Sequence, residues 1–401
     1  MNCFAVIGCG YGDEGKGLVT NHLVQNRPSA LVVRHNGGAQ SGHTVDTESG
    51  RFVFHELSSG SLAGADTFWA DSFYPDLYKL SEEAENFRAF SGFVPKIFAD
   101  ARAFITIIDD IFLNMAVETM RGDSRHGSCG MGIYEADCRT KAGYGLTIGE
   151  ISEMSTAALT KKLENIRASY VPLRIAELGL TGAVPDEYAS LLTNREVLEN
   201  YARQIMENLA YIQVVRDVAS VFDRYDTVVF ESGQGLLLDA DCEKSLPHVT
   251  ASKTGVFHPA RILSEYGKKL DAVYYVTRSY VTKHGAGLLP CECGPERIGK
   301  LLSDRTNVTN PWQGSLRYAE HESTVSFADR VRGDLAQVSP ALKAFLVVTH
   351  LNETEGAFIL RNGDVSWELL AKDTALASVF DGIYLSDSPF GISAAVSTKK
   401  P

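Results

Sequence analysis

The chain has 401 residues, 44% of them hydrophobic and 22% charged, with a formal net charge of −12. That composition belongs to an ordinary globular protein, and the acidic balance argues against a broad nucleic-acid-binding face, so a nucleotide would be recognised by local loops as a free mononucleotide. No run approaches the roughly 18 apolar residues of a membrane span and the first residues lack a signal-peptide pattern, so a soluble, cytoplasmic protein is expected, with no membrane and no nucleic-acid polymer among its partners.

Cys3 to Ile7 reads as a buried parallel strand and Leu18 to Val24 as the start of a helix. Between them, Gly10-Tyr11-Gly12-Asp13-Glu14-Gly15-Lys16-Gly17 fits the phosphate-cradling pattern G-x-x-x-x-G-K at every position but the last. Strand, glycine loop and helix in this order converge backbone N–H groups, the positive helix end and Lys16 on a phosphate. Gly17 stands where a Ser or Thr hydroxyl usually ligates magnesium, and the loop carries its own carboxylate, Asp13. A negative charge beside a polyanion is unfavourable unless it binds the bridging cation or takes a proton from substrate, and either role implies chemistry beyond nucleotide binding.

Ala30 to Arg34 is a second apolar strand, running into His35-Asn36-Gly37-Gly38-Ala39-Gln40-Ser41-Gly42-His43-Thr44. Its glycines permit close approach to a ligand, while Gln40, His43 and Thr44 supply directional hydrogen bonds at the carboxyl edge of the same sheet. From about 151 to 222 the βα rhythm breaks. Leu198, Tyr201, Ile205, Leu209, Ile212 and Val215 recur at helical spacing and predict a mostly helical insertion. Strands resume at Thr227–Phe230, Ala272–Val276, the run ending in Val348, and Gly382–Leu385. The fold class expected is α/β, with a mostly parallel central sheet of P-loop-like type, flanking helices and that insertion, in one domain over 1–401. Seven scattered cysteines, with Cys291 and Cys293 too close for a usual zinc pair, predict reduced thiols. A GTP-hydrolysing switch would want Ser or Thr at position 17 and an N-K-x-D-like motif, and a dinucleotide oxidoreductase a G-x-G-x-x-G; a ligase fits better.

The two loops are where the chain resembles the adenylosuccinate synthetases, which carry W-G-D-E-G-K-G and R-Y-Q-G-G-H-N-A-G-H-T. Further matches follow in order: Phe54 to Gly60, Gly127 to Ile133, Val229 to Asp239, Val249 to Ser252, and Val281 to Gly287. The resemblance implies a two-step ligation. Asp13 removes the N1 proton of a 6-oxopurine nucleotide, O6 attacks the γ-phosphate of ATP or GTP with His43 acting as acid, and the amine of L-aspartate displaces the 6-phosphoryl group. It further implies Mg²⁺ on the Asp13 carboxylate and the Gly42 carbonyl. The triphosphate would lie against Gly12, Glu14, Gly15, Lys16, Gly17, Thr44, Asn352 and Ser386. Asn36, Gln40, Ser128, Cys129, Gln234, Leu238 and Thr250 would hold the purine mononucleotide. A homodimer is implied, with Arg139 or Lys141 donated across its interface to the phosphate.

The departures bear on substrate choice. Where the family has T-T-G-R-R-R-R, this chain has Asn310 to Arg317, so the amino acid would rest on Gln313, Gly314 and Arg317, with Lys283 or Arg305 as further cations. Cys129 replaces a usual Thr. Asn352 stands where T-K-L-D ends in the acid that reads guanine. Sparse arginines and Asn352 lean toward the viral 2-aminoadenylosuccinate synthetases, which act on dGMP in place of IMP and tolerate ATP; Asp13 leans away from them, since that branch tends to carry a smaller residue there that makes room for the 2-amino group.

Overall fold

The computed structural model describes residues 1–299, 302, 313–339, 341–393 and 396–398; Arg305 and the stretch from Asn310 to Trp312 lie outside them. The long apolar runs become strands that stack side by side. In chain order these are β1 (Asn2–Gly8), β2 (Ala30–Arg34), β3 (Asp66–Trp69), β4 (Ile97–Asp100), β5 (Ile212–Val215), β6 (Thr227–Gly235), β7 (Ala272–Arg278), β8 (Lys343–Thr349), β9 (Gly382–Leu385) and β10 (Val396–Ser397). They form one ten-stranded sheet, ordered β10-β9-β8-β7-β1-β6-β2-β3-β4-β5. Every pairing is parallel except that of the edge strand β10 with β9.

A parallel sheet must be covered on both faces, which is why its strands are apolar without alternation. Ala5, Ile7, Leu31, Val33 and Phe230 pack into one core, while Val6, Val32 and Val229 face the other together with Val19 and Leu23 of α1 (Lys16–Val24). β1 lies between β6 and β7, and the chain runs outward from it in both directions. The crevice at the carboxyl ends of these strands is therefore a topological switch point, where ligands bind in open α/β sheets.

Helices Thr156–Ser169, Val171–Glu177, Asp186–Thr193 and Arg195–Asn208 fill most of the region read as an insertion, packing through Leu159, Leu163, Leu198, Tyr201 and Ile205. The expected single helical stripe is corrected at its end. A tight turn at Leu209–Tyr211 stops the helix, and Ile212 and Val215 belong to β5, paired with Ile97 and Asp100 of β4. No helix among the described residues is long and apolar enough to cross a membrane.

Candidate active site

Loops leaving β1, β2, β6, β7, β8 and β9 line one cleft of about 1260 Å³. The glycine loop turns through left-handed backbone at Gly12 (φ 99°), Asp13 (φ 60°) and Gly15 (φ 91°), conformations that cost a non-glycine residue energy and are held only by their surroundings. Arg278 Nε, at the end of β7, donates to the Asp13 carbonyl at 2.6 Å. His284 Nε2 lies 3.0 Å from Asp13 Oδ2. Burial works against charge on Asp13, but His284, Arg278 and Lys16 outweigh it and hold the carboxyl below its usual range.

Glu14 is buried within the loop. One carboxylate oxygen accepts from the N–H groups of Gly10 (3.0 Å) and Gly12 (2.9 Å), and the other pairs with Lys16 Nζ at 2.5 Å. Glu14 lines the cleft with the rest of the loop, and its side chain organises that loop and Lys16. The glycine at position 17 has a steric reason: a Cβ there would sit 2.7 Å from the Thr44 carbonyl oxygen and 3.2 Å from Ser59 Oγ. The second glycine loop occupies the space a Ser or Thr side chain would need.

His43 opens a β-hairpin, His43–Thr47 with Gly50–Phe54, and is almost fully buried. Its Nδ1 lies 3.0 Å from Glu231 Oε1 at the end of the β6 apolar run. Glu231 also accepts from Ser59 N at 3.2 Å and from Ser59 Oγ, and lies 3.6 Å from Arg34. Burial opposes the Glu231 charge, yet His43, Arg34 and Ser59 bring its pKa to about 2. Burial shifts His43 toward neutral imidazole while Glu231 pulls the other way. His43 Nε2 is buried without a hydrogen-bond partner among the described residues, as are Gln40 Oε1 and Gln234 Oε1. All three residues line the cleft, and a buried polar atom without a partner calls for one.

The remaining expected residues divide. Gly42, Thr44, Ser128, Cys129, Leu238, Thr250, Gln313, Asn352 and Ser386 line the cleft with the glycine loop. Burial pushes the Cys129 thiol up to about 11. Ser128 Oγ exchanges hydrogen bonds with the Asn114 amide, and Glu118 accepts from the N–H of Gly127 at 2.8 Å. Lys283 is buried 5.7 Å from the Tyr11 ring centroid, and desolvation lowers its pKa to about 8. Asn352 is exposed in a turn after β8, whereas the Ser386 hydroxyl donates to the carbonyls of Ser388 and Gly391.

Asn36, Arg139, Gly314 and Arg317 are not part of that wall. The Asn36 amide is buried against Gly233, donating to its carbonyl at 3.0 Å and accepting from its N–H at 2.9 Å, so it pins the loop to β6. Arg139 is fully enclosed: it binds Asp110 and donates to the carbonyls of Tyr144 and Ile105. Its guanidinium is thus occupied inside the chain, unlike the expected donation across an interface. Lys141 is exposed and pairs with Asp137 at 2.7 Å. Arg317 is held by Glu292 and by the carbonyls of Gly285 and Gly287, which bends the loop carrying His284. Sequence reasoning missed Glu231, Arg278, His284 and Asn114. The one available signal was an acid, Glu231, ending an otherwise apolar strand.

Comparison with known proteins points to one family. The family model described as adenylosuccinate synthetase matches residues 5–310. An adenylosuccinate synthetase of Aspergillus flavus is 29% identical over 300 residues, 73% of this chain and 65% of its own length. One from Neosartorya fischeri is 30% identical over 311 residues, 76% of this chain and 68% of its own. The alignment thus spans just under two thirds of the Aspergillus flavus enzyme's length. Among solved structures, the fully ligated adenylosuccinate synthetase of Plasmodium falciparum superposes with a TM-score of 0.66 at 20% identity, covering 88% of this chain and 77% of that one. The succinoaminodeoxyadenylate synthetase of cyanophage S-2L, bound to dGMP and dATP, gives 0.62 at 15% identity, covering 99% and 96%.

Proposed function

The chain belongs to the adenylosuccinate synthetase family, and from that premise we propose that it is a carbon–nitrogen ligase joining L-aspartate to C6 of a 6-oxopurine mononucleotide at the expense of a nucleoside triphosphate. The observation that carries the reading is the carboxylate of Asp13 inside a phosphate loop, on the same cleft as a buried His43 backed by Glu231. Asp13, held charged, takes the N1 proton so that O6 becomes the nucleophile. The His43 imidazole then faces the transferring phosphoryl group through Nε2, and Glu231 stabilises the imidazolium that forms as charge develops there. Gln40, Gln234, Thr250 and the Ser128–Cys129 backbone would orient the mononucleotide. Lys16 and the N-terminus of α1 would meet the triphosphate.

The residues present fit magnesium. Gly17 excludes the usual hydroxyl, and the Asp13 carboxylate and Gly42 carbonyl are hard oxygen donors on one wall; substrate phosphates complete such a shell. A bound Mg²⁺ would neutralise charge on the transferring group. With Arg139 sequestered, Lys141 is the cation a homodimer would deliver. Seven free thiols suit a reducing cytoplasm.

A second reading, 2-aminoadenylosuccinate synthesis from dGMP with ATP, is favoured by Asn352. A neutral amide at the cleft wall replaces the charge-assisted pair a carboxylate would make with guanine. The cyanophage structure bound to dGMP and dATP matches almost end to end. One experiment tests both: IMP, dIMP, GMP and dGMP, each with ATP or GTP and L-aspartate, read by mass spectrometry. Phosphate release independent of both the monophosphate and aspartate would sink the ligase reading.

A further inference from the structure

We infer that His284 is a positioning residue for Asp13, setting the plane of its carboxylate so that Oδ1 is the oxygen presented to the cleft. The inference rests on the ligase reading for what Asp13 does, but the pair itself is a feature of the fold. Asp13 has left-handed backbone at φ 60°, a conformation that a short acid tolerates better than most residues and that its neighbours here reinforce. Two of those neighbours come from one structural unit. Arg278 ends β7 and holds the Asp13 carbonyl at 2.6 Å. His284, directly after the short strand Val281–Lys283, reaches Asp13 Oδ2 at 3.0 Å. Main chain and side chain of the same residue are thus gripped from one short stretch of chain, Arg278 to His284.

That stretch is itself braced. Val281–Lys283 pairs antiparallel with Arg317–Ala319, and Arg317 NH1 donates to the carbonyls of Gly285 (3.0 Å) and Gly287 (2.9 Å), immediately beyond His284. Gly285 has φ 70° and packs so closely on Gly127 that a Cβ would sit 2.9 Å from the Gly127 carbonyl oxygen. His284 therefore projects from a loop closed on both sides, as a group meant to orient another should.

The consequence is a division of labour within one carboxylate. Oδ2 accepts from His284, so Oδ1 carries the proton-abstracting role, and rotation of the carboxyl about its last torsion, otherwise soft, is removed. Misplacing a reacting group by about 1 Å can cost about 100-fold in rate. His284→Ala should lower kcat by about that factor and leave KM for the mononucleotide and the triphosphate within about threefold. His284→Gln, whose Nε2 amide donates from nearly the same place, should recover to within about tenfold of the wild type. A kcat for His284→Ala within threefold of wild type, a change confined to KM, or equal losses in the Ala and Gln variants would each overturn the inference. A second measurement needs no turnover. In protein labelled with ¹⁵N-histidine and without added nucleotide, the Nε2 proton of His284, assigned by its loss in His284→Gln, should resonate downfield and move upfield in Asp13→Ala. An unmoved signal refutes the pair. If the wild type ligates nothing while the signal moves, the functional reading fails and the pair stands.

Discussion

Arg139→Met separates the two roles open to that arginine. Its Nε lies 2.9 Å and 3.2 Å from the two Asp110 oxygens and its NH2 2.9 Å from one of them, while NH1 and NH2 donate to carbonyls at 2.7 Å and 2.8 Å. Both side chains are fully buried. Removing one partner of a buried pair costs about 3–5 kcal/mol because the other charge remains without compensation. Asp110 would keep only the Ile107 N–H at 2.9 Å. Burial already pushes its carboxyl up against the pull of Arg139, so in the variant it would take up a proton, which caps the cost at low pH and makes the loss larger at pH 8 than at pH 5. Against a total stability of about 5–15 kcal/mol the loss should be plain in urea unfolding as a fallen midpoint at unchanged slope. Arg139→Met with Asp110→Leu should recover most of it. A variant within about 0.5 kcal/mol of wild type whose mononucleotide KM has risen tenfold would refute the reasoning and return the guanidinium to the phosphate.

Asp13→Ala removes base and metal ligand together and should lose several orders of magnitude in kcat; retention of more than about a tenth would sink the assignment. His43→Asn should lower kcat by about 10²-fold or more with nucleotide KM little changed, and an effect on KM alone would make it a ground-state contact. In the wild type, ATP should serve at least as well as GTP, and Asn352→Asp should move kcat/KM toward GTP; a wild-type GTP preference above about tenfold contradicts this. Asp334, buried and bonded by Tyr275 OH and Val256 N, has its pKa raised to about 6 by desolvation. Its contribution is present at low pH and lost as pH rises through that value, so Asp334→Asn should gain stability relative to wild type between pH 4 and pH 7, by up to about 3 kcal/mol in denaturant titrations; a flat difference across that range counts against it.

Strands that are buried on both faces were legible because nothing interrupts their apolar runs, as in Cys3–Ile7 and Thr227–Phe230. The short strands Asp66–Trp69 and Ile97–Asp100 offer four residues each, too few for periodicity to separate them from a turn of helix. Ile212 and Val215 misled for the same reason: a spacing of three fits the end of a helical stripe, and only the Leu209–Tyr211 turn shows the break. The glycine loops announced themselves through composition. The pairings that set their electrostatics could not. Glu231 reaches back 188 residues to His43, His284 reaches 271 to Asp13, and Arg139 is tied to Asp110 across a helix; a charge in sequence does not say which opposite charge the fold will bring to it.

These pairings also explain how a chain with a net charge of −12 can offer a site for polyanions. Carboxylates at and around the cleft are compensated where they sit: Asp46 and Glu135 pair with Arg51 and Arg174, and others are spent on backbone donors. Glu14 takes the N–H groups of Gly10 and Gly12, Glu118 those of Gly127 and Ser128, and Glu83 those of His55, Glu56 and Leu57. Each fixes a loop that shapes the cleft, and each is compensated where it sits, so its field at the ligand is weakened by the dipoles it accepts from. Asp13 differs in lying inside the phosphate loop, with His284 at its Oδ2. Local compensation of the other carboxylates leaves Asp13 as the acid of the phosphate loop that the proposed chemistry uses.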